Sequence, residues 1–96
     1  MRKSNTQPLK GIIREYIEAL GHKRKLKEVN LIASWESLVG KLVANHTKSI
    51  YIKNNVLFVY LDSAAIRNEL MMMRGQILKR MNDHAGSELI TKVILR

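Results

Sequence analysis

Ile50-Tyr51-Ile52-Lys53-Asn54-Asn55-Val56-Leu57-Phe58-Val59-Tyr60-Leu61 is the stretch that decides the fold. Two runs rich in β-branched and aromatic residues meet at Lys53-Asn54-Asn55, and asparagine tolerates the positive φ that a two-residue hairpin loop requires. With Asn54-Asn55 as the loop, Lys53 and Val56 form the first flanking pair and the register is set. Tyr51 then faces Phe58 and Ser49 faces Tyr60 on one side of the ribbon, while Ile52 faces Leu57 and Ile50 faces Val59 on the other. One side is aliphatic; the other is aromatic with Lys53 beside it.

Toward the C-terminus, Asp62-Ser63 offers N-cap oxygens. Ile66, Leu70, Met73, Ile77 and Met81 then recur at helical spacing as far as Gly86, which suits a C-terminal stop. The spacing predicts one long helix, able to cover one face of the ribbon, and the aliphatic face is its natural partner. After Ser87-Glu88, the segment Leu89 to Arg96 is short and rich in β-branched residues, which predicts a third strand. Its alternating sets are Leu89, Thr91, Val93, Leu95 and Ile90, Lys92, Ile94, Arg96. If the second set shares the side of Tyr51, Phe58 and Tyr60, that side is both aromatic and basic.

Toward the N-terminus, Met1 to Gln7 is expected to be flexible. Asn5 or Thr6 can cap a helix with Pro8 in its first turn. Leu9, Ile12, Ile13, Tyr16, Ile17 and Leu20 form an amphipathic stripe that Gly21 is expected to close. The run His22-Lys23-Arg24-Lys25-Leu26-Lys27 follows. Cations at a helix start oppose the macrodipole, so Lys23, Arg24, Lys25 and Lys27 read either as a phosphate contact or as a solvated basic turn. Leu26, Val29, Ile32, Trp35, Leu38 and Val39 continue a helical stripe with Trp35 as a core anchor. Gly40 either ends that helix or is followed by another turn through Leu42, Val43 and Ala44. The predicted order is α-α-β-β-α-β, an α+β domain with a three-stranded sheet and helices packed on one face.

Ninety-six residues make one domain, 1–96, with a single core. No apolar run approaches the roughly 18 residues of a membrane span, and the polar, basic N-terminus lacks the apolar core of a secretory signal. The absence of cysteine excludes disulfides, thiol catalysis and cysteine zinc sites, and fits a cytoplasmic location. Seventeen Lys and Arg against eight Asp and Glu give a net charge of +9. Such a surplus favours polyanions, DNA or RNA above all.

Catalytic signals are missing. His22, His46 and His84 lie far apart in sequence without companion carboxylates, so no metal site is expected. No HExxH, GxSxG, Gly-rich phosphate loop or paired-carboxylate spacing occurs, and the expectation is a non-enzymatic chain without cofactor or small-molecule substrate. Binding signals are stronger. Tyr51, Phe58 and Tyr60 with Lys53, Lys92 and Arg96 combine rings for base stacking with cations for phosphates, the requirements of single-stranded nucleic acid. The other reading of that face is burial under a second helical layer. Met71, Met72 and Leu78 fall outside the core stripe and suit a protein-partner surface, although Met71 and Leu78 also fit as gap fillers at its edge.

Trp35-Glu36-Ser37-Leu38-Val39-Gly40, then Ala44-Asn45-His46, the hairpin Tyr51 to Val59, Asp62-Ser63 with Arg67-Asn68-Glu69-Leu70, and Val93-Ile94-Leu95 together resemble the DciA family. The likeness runs from about Leu9 to Arg96 and rests on dispersed hydrophobic and turn positions. It implies a KH-like fold and a bacterial accessory factor that assists loading of the replicative helicase DnaB on DNA without hydrolysing ATP. The family was once grouped as an uncharacterised domain with suggested RNA binding, so the alternatives are an RNA-binding KH-like module or a protein-interaction domain with incidental charge. The chain has no GxxG loop, so the usual KH clamp on nucleotides is not expected. Better-studied members carry a disordered extension linked to helicase binding; here the contact with DnaB is expected on the domain surface.

Overall fold

In the computed structural model, residues 6–96 are described, with side chains from Gly11 onward. The expected cap at Asn5 or Thr6, and the side chains of Pro8 and Leu9, lie outside that range.

The hairpin forms as its residues require. Strand β1 (Thr47–Lys53) pairs antiparallel with β2 (Val56–Leu61), with Tyr51 opposite Phe58, Ser49 opposite Tyr60, Ile50 opposite Val59 and Ile52 opposite Leu57. Asn54 and Asn55 adopt φ of 52° and 66°, the left-handed pair that a two-residue loop demands. A register shift between Thr47 and Ser49 kinks the start of β1. Strand β3 (Lys92–Leu95) lies parallel to β2 on its other side, giving the sheet order β1-β2-β3.

The third strand is shorter than expected. Leu89 and Ile90 are buried before it begins, so Ile90 is not on the open face with Lys92, Ile94 and Arg96. The reason is a side-chain clamp: the Asn82 amide donates to the Ile90 carbonyl at 2.8 Å, and its oxygen accepts from the Ile90 N–H at 3.0 Å. Those bonds satisfy the backbone that a ladder would otherwise have satisfied.

Helix α1 (Thr6–Ala33) is one continuous rod, correcting the expected stop at Gly21. A glycine inside a helix costs only about 1 kcal/mol against alanine. Lys, Arg, Glu and Leu around it are good helix formers, so a lone glycine without a proline or a left-handed turn does not end the rod. Continuity fixes the helical phase. Leu31 turns to the core and is buried, while Leu26 and Val29, expected to be core residues, are exposed.

Two short helices follow. Helix α2 (Trp35–Val39) and α3 (Lys41–Asn45) are separated by Gly40, whose φ of 96° is a conformation that glycine adopts without a Cβ clash. Trp35 is buried and its indole N–H donates to Thr47 Oγ1 at 3.0 Å.

The long C-terminal helix is in fact two helices. In α4 (Ala64–Met72), Ser63 Oγ caps the N–H of Ile66 at 3.3 Å; α5 (Arg74–Ala85) ends at left-handed Gly86 with φ 76°. Met73 breaks the rod with φ −110° and ψ 14°, its N–H closing a tight turn on the Leu70 carbonyl at 3.0 Å. That break re-aims the stripe: Leu70, Ile77 and Met81 are buried but Met73 is exposed.

Ile52, Leu57, Val59, Leu61, Val93 and Leu95 from the sheet pack with Leu31, Trp35, Leu70, Ile77 and Met81 from the helices in a single core. The order is α-α-α-β-β-α-α-β, an α+β domain with the helices packed on the aliphatic face of the sheet.

Candidate nucleic-acid interface

Because strand side chains alternate, the register that buries Ile52, Leu57 and Val59 turns Tyr51, Phe58 and Tyr60 to the opposite face. No helix of the described residues covers them. Tyr51 is 40% exposed, and Phe58 and Tyr60 are partly buried. The rings form a ladder. Tyr51 lies between the other two, its centroid 4.9 Å from that of Phe58 and 6.0 Å from that of Tyr60, with interplanar angles of 17° and 19°. The Tyr51 and Tyr60 hydroxyls stand 3.3 Å apart. That hydrogen bond to Tyr60 raises the Tyr51 pKa above its ordinary value, with partial desolvation adding to it and the Arg96 charge opposing it.

Cations frame this ladder. Lys53 follows Tyr51 on the same side of β1, and Phe58 stands beside Ile94 in the parallel pairing, which places Lys92, Ile94 and Arg96 on the open face. Lys53, Lys92 and Arg96 are exposed; Ile94 and Val56 supply an apolar floor between them. Stacked rings, bordered by cations that form no ion pair among the described residues, can accept bases on the rings and phosphates on the rim.

The basic run lies elsewhere. Lys23, Arg24, Lys25 and Lys27 sit in the middle of α1, on the helical side of the sheet, and not at a helix start as expected. Arg24 is already engaged: its guanidinium donates to Asn55 Oδ1 in the hairpin loop and to the Leu89 carbonyl at 3.5 Å, with Glu28 at 3.7 Å. It ties α1 to the hairpin tip. Lys23 and Lys27 line a groove between α1 and the loop of Ser87, Glu88 and Leu89. The two halves of the expected site therefore lie on different elements, and Arg24 reaches the hairpin through Asn55.

The expected partner residues also separate. Met72 is 82% exposed and Met71 is half that, whereas Leu78 packs against the core. Sequence periodicity missed a neighbouring feature, a small apolar cleft lined by Leu38, Val39, Met73, Ile77 and Met81. The helical spacing places Met73 in the core; in the structure it is exposed and lines this cleft.

Histidines are used structurally. The Ser34 hydroxyl donates to the Asn30 carbonyl at 2.9 Å, so it accepts from His84 Nε2, also at 2.9 Å, and its proton is not available for a nucleophile's role. His46 Nδ1 meets Asp62 Oδ1 at 2.8 Å where β1 begins and β2 ends. His22, expected beside an element end, lies within α1. Among the described residues no cluster of His, Asp and Glu could hold a metal ion, and no helix is long and apolar enough to cross a membrane.

These features define a small basic α+β domain with an open, aromatic sheet face. Residues 8–95 match the model of the family described as Dna[CI] antecedent, DciA, and the chain belongs to that family. It is similar to a UPF0232 protein of Corynebacterium glutamicum (strain R), 31% identical over 87 residues that cover 91% of this chain and 49% of the relative. A UPF0232 protein of Mycolicibacterium paratuberculosis (strain ATCC BAA-968 / K-10) is 26% identical over 87 residues, covering 91% and 48%. One from Mycobacterium tuberculosis (strain ATCC 25618 / H37Rv) is 26% identical over 84 residues, covering 88% and 45%. The chain spans about half the length of these curated relatives.

Proposed function

We propose that this chain is a non-enzymatic accessory of the bacterial replicative helicase DnaB that holds single-stranded DNA on its open sheet face and works in the cytoplasm. Membership of the DciA family supports the association with DnaB at the level of the family. The observation that carries the nucleic-acid part is the ladder of Tyr51, Phe58 and Tyr60 with Lys53, Lys92 and Arg96 at its border. Rings offer sequence-tolerant stacking worth about 1–3 kcal/mol per base, and the cations neutralise phosphates. Lys23, Lys25 and Lys27 on α1 add attraction at longer range, strongest at low salt. Such weak, unspecific holding suits a factor that hands DNA to another machine. The exposed methionines Met71 and Met72, with Leu78 at the edge of the core, offer DnaB an adaptable apolar contact.

Titration of a fluorescent single-stranded oligonucleotide tests this reading. Double substitution Tyr51→Ala, Phe58→Ala is expected to weaken binding at least tenfold. Neutralising three phosphates should give a log–log salt slope of about −2. Undiminished binding by the double variant, or a flat salt response, overturns it. RNA of equal length, run in parallel, separates a DNA holder from a reader of the 2′-hydroxyl, which prefers RNA. Met72→Glu is expected to reduce capture of purified DnaB while leaving the oligonucleotide affinity unchanged; full capture by that variant removes Met72 from the contact.

A further inference from the structure

From Ile12 to Leu20, α1 is a helical arm without a partner among the described residues. Ile12, Ile13, Tyr16, Ile17 and Leu20 recur on one face and are exposed by 64%, 51%, 66%, 62% and 48%. This face is in phase with Lys27 and buried Leu31, so it points to the side on which the domain body lies, but beyond that body's edge. The edge is marked by the groove that Leu20 and Leu89 both line, and the molecule extends 64 Å along its long axis against 22 and 18 Å across.

We infer that this face is covered by the same face of a second copy, the two arms pairing antiparallel about Tyr16. Three observations favour a second copy over another occupant. The first is charge. Lys10 and Arg14 offset Glu15 and Glu18, so residues 9–22 are neutral in a chain of +9, and two arms can meet without the repulsion that would separate two bodies. The second is shape. An antiparallel arm enters the open space beside the body, and the same operation places the first arm beside the second body, so the contact closes on itself as an isologous dimer. Ile12 then stands opposite Leu20, and Tyr16 opposite its own copy. The third is area. Five half- to two-thirds-exposed side chains leave on the order of 500 Å² per arm, and pairing two arms buries on the order of 1,000 Å², the lower bound for a specific interface. That area predicts a weak dimer whose population follows concentration. The pairing is independent of the nucleic-acid reading, since the aromatic sheet face takes no part in it.

Sedimentation equilibrium of the intact chain tests the proposal. The mass is expected to rise with concentration from 11.1 kDa toward twice that value. Tyr16→Glu is expected to hold it at the monomer value, with unchanged circular dichroism and thermal unfolding because the arm lies outside the core. The chain has no cysteine, so single introduced thiols report geometry directly. Tyr16→Cys is expected to form a disulfide dimer, and a mixture of Ile12→Cys and Leu20→Cys chains to cross-link more than either alone. Leu42→Cys, exposed on another element, should not cross-link. A monomer at every concentration, cross-linking equal at positions 16 and 42, or an arm that stays monomeric and binds anionic lipid vesicles instead, overturns it.

Discussion

Tyr51 and Tyr60 share a hydrogen bond of 3.3 Å between hydroxyls on a sheet face that no described helix covers. Either hydroxyl can be the donor, and this bond, the largest influence on the group, favours protonated Tyr51. This is why the Tyr51 pKa is raised above its ordinary 10.0. In the unfolded chain the same group titrates first. Between its unfolded and folded values the native state therefore holds more protons, and folding stability falls as pH climbs past about 10. Ultraviolet titration of tyrosinate should show a late-titrating group in the native protein, and Tyr60→Phe should bring Tyr51 back toward its ordinary value.

Gly21 and Gly86 give opposite expectations from the same substitution. A Cβ at Gly21 meets no atom within 4 Å and has ordinary helical φ, so Gly21→Ala should stabilise the helix by up to about 1 kcal/mol. Gly86 has φ +76°, and Gly86→Ala should cost about 1 kcal/mol through backbone strain alone. Urea unfolding of the two variants, with helix content followed by circular dichroism, distinguishes a continuous rod from one that stops at residue 21.

Asn82 holds both backbone groups of Ile90, so Asn82→Ala leaves a partly buried donor and acceptor without partners. A loss of about 2–3 kcal/mol in unfolding free energy is expected, roughly that of one unsatisfied buried pair. The urea midpoint should drop with the slope unchanged. A loss below about 0.5 kcal/mol would mean that the clamp is replaced by water.

The elements that were legible in the sequence are those fixed by short-range chemistry. The two asparagines at 54 and 55 determine the loop, the loop determines the register, and the register places every ring and every inward aliphatic residue of the hairpin. Family membership was legible too, because it rests on those same turn and core positions. What was not legible depends on margins of about 1 kcal/mol or on contacts distant in sequence. Gly21 carries a stop signal too weak to outweigh its helix-forming neighbours, and misplacing that end shifted the inward stripe from Leu31 to Leu26 and Val29. Met73 continues the helical spacing and still breaks it, its N–H turning onto the Leu70 carbonyl. Arg24 looked like one more cation in a basic run; its contact with Asn55, thirty-one positions away, exists only once the hairpin and α1 are docked.

The stacked rings, and not the basic run on α1, are expected to receive the bases. Adding an oligothymidine to isotope-labelled protein and following side-chain resonances by NMR tests it most directly. The ring signals of Tyr51, Phe58 and Tyr60 are expected to shift most, together with the backbone of Lys53, Lys92 and Arg96. Shifts confined to Lys23, Lys25 and Lys27, with the three rings unmoved, would contradict it.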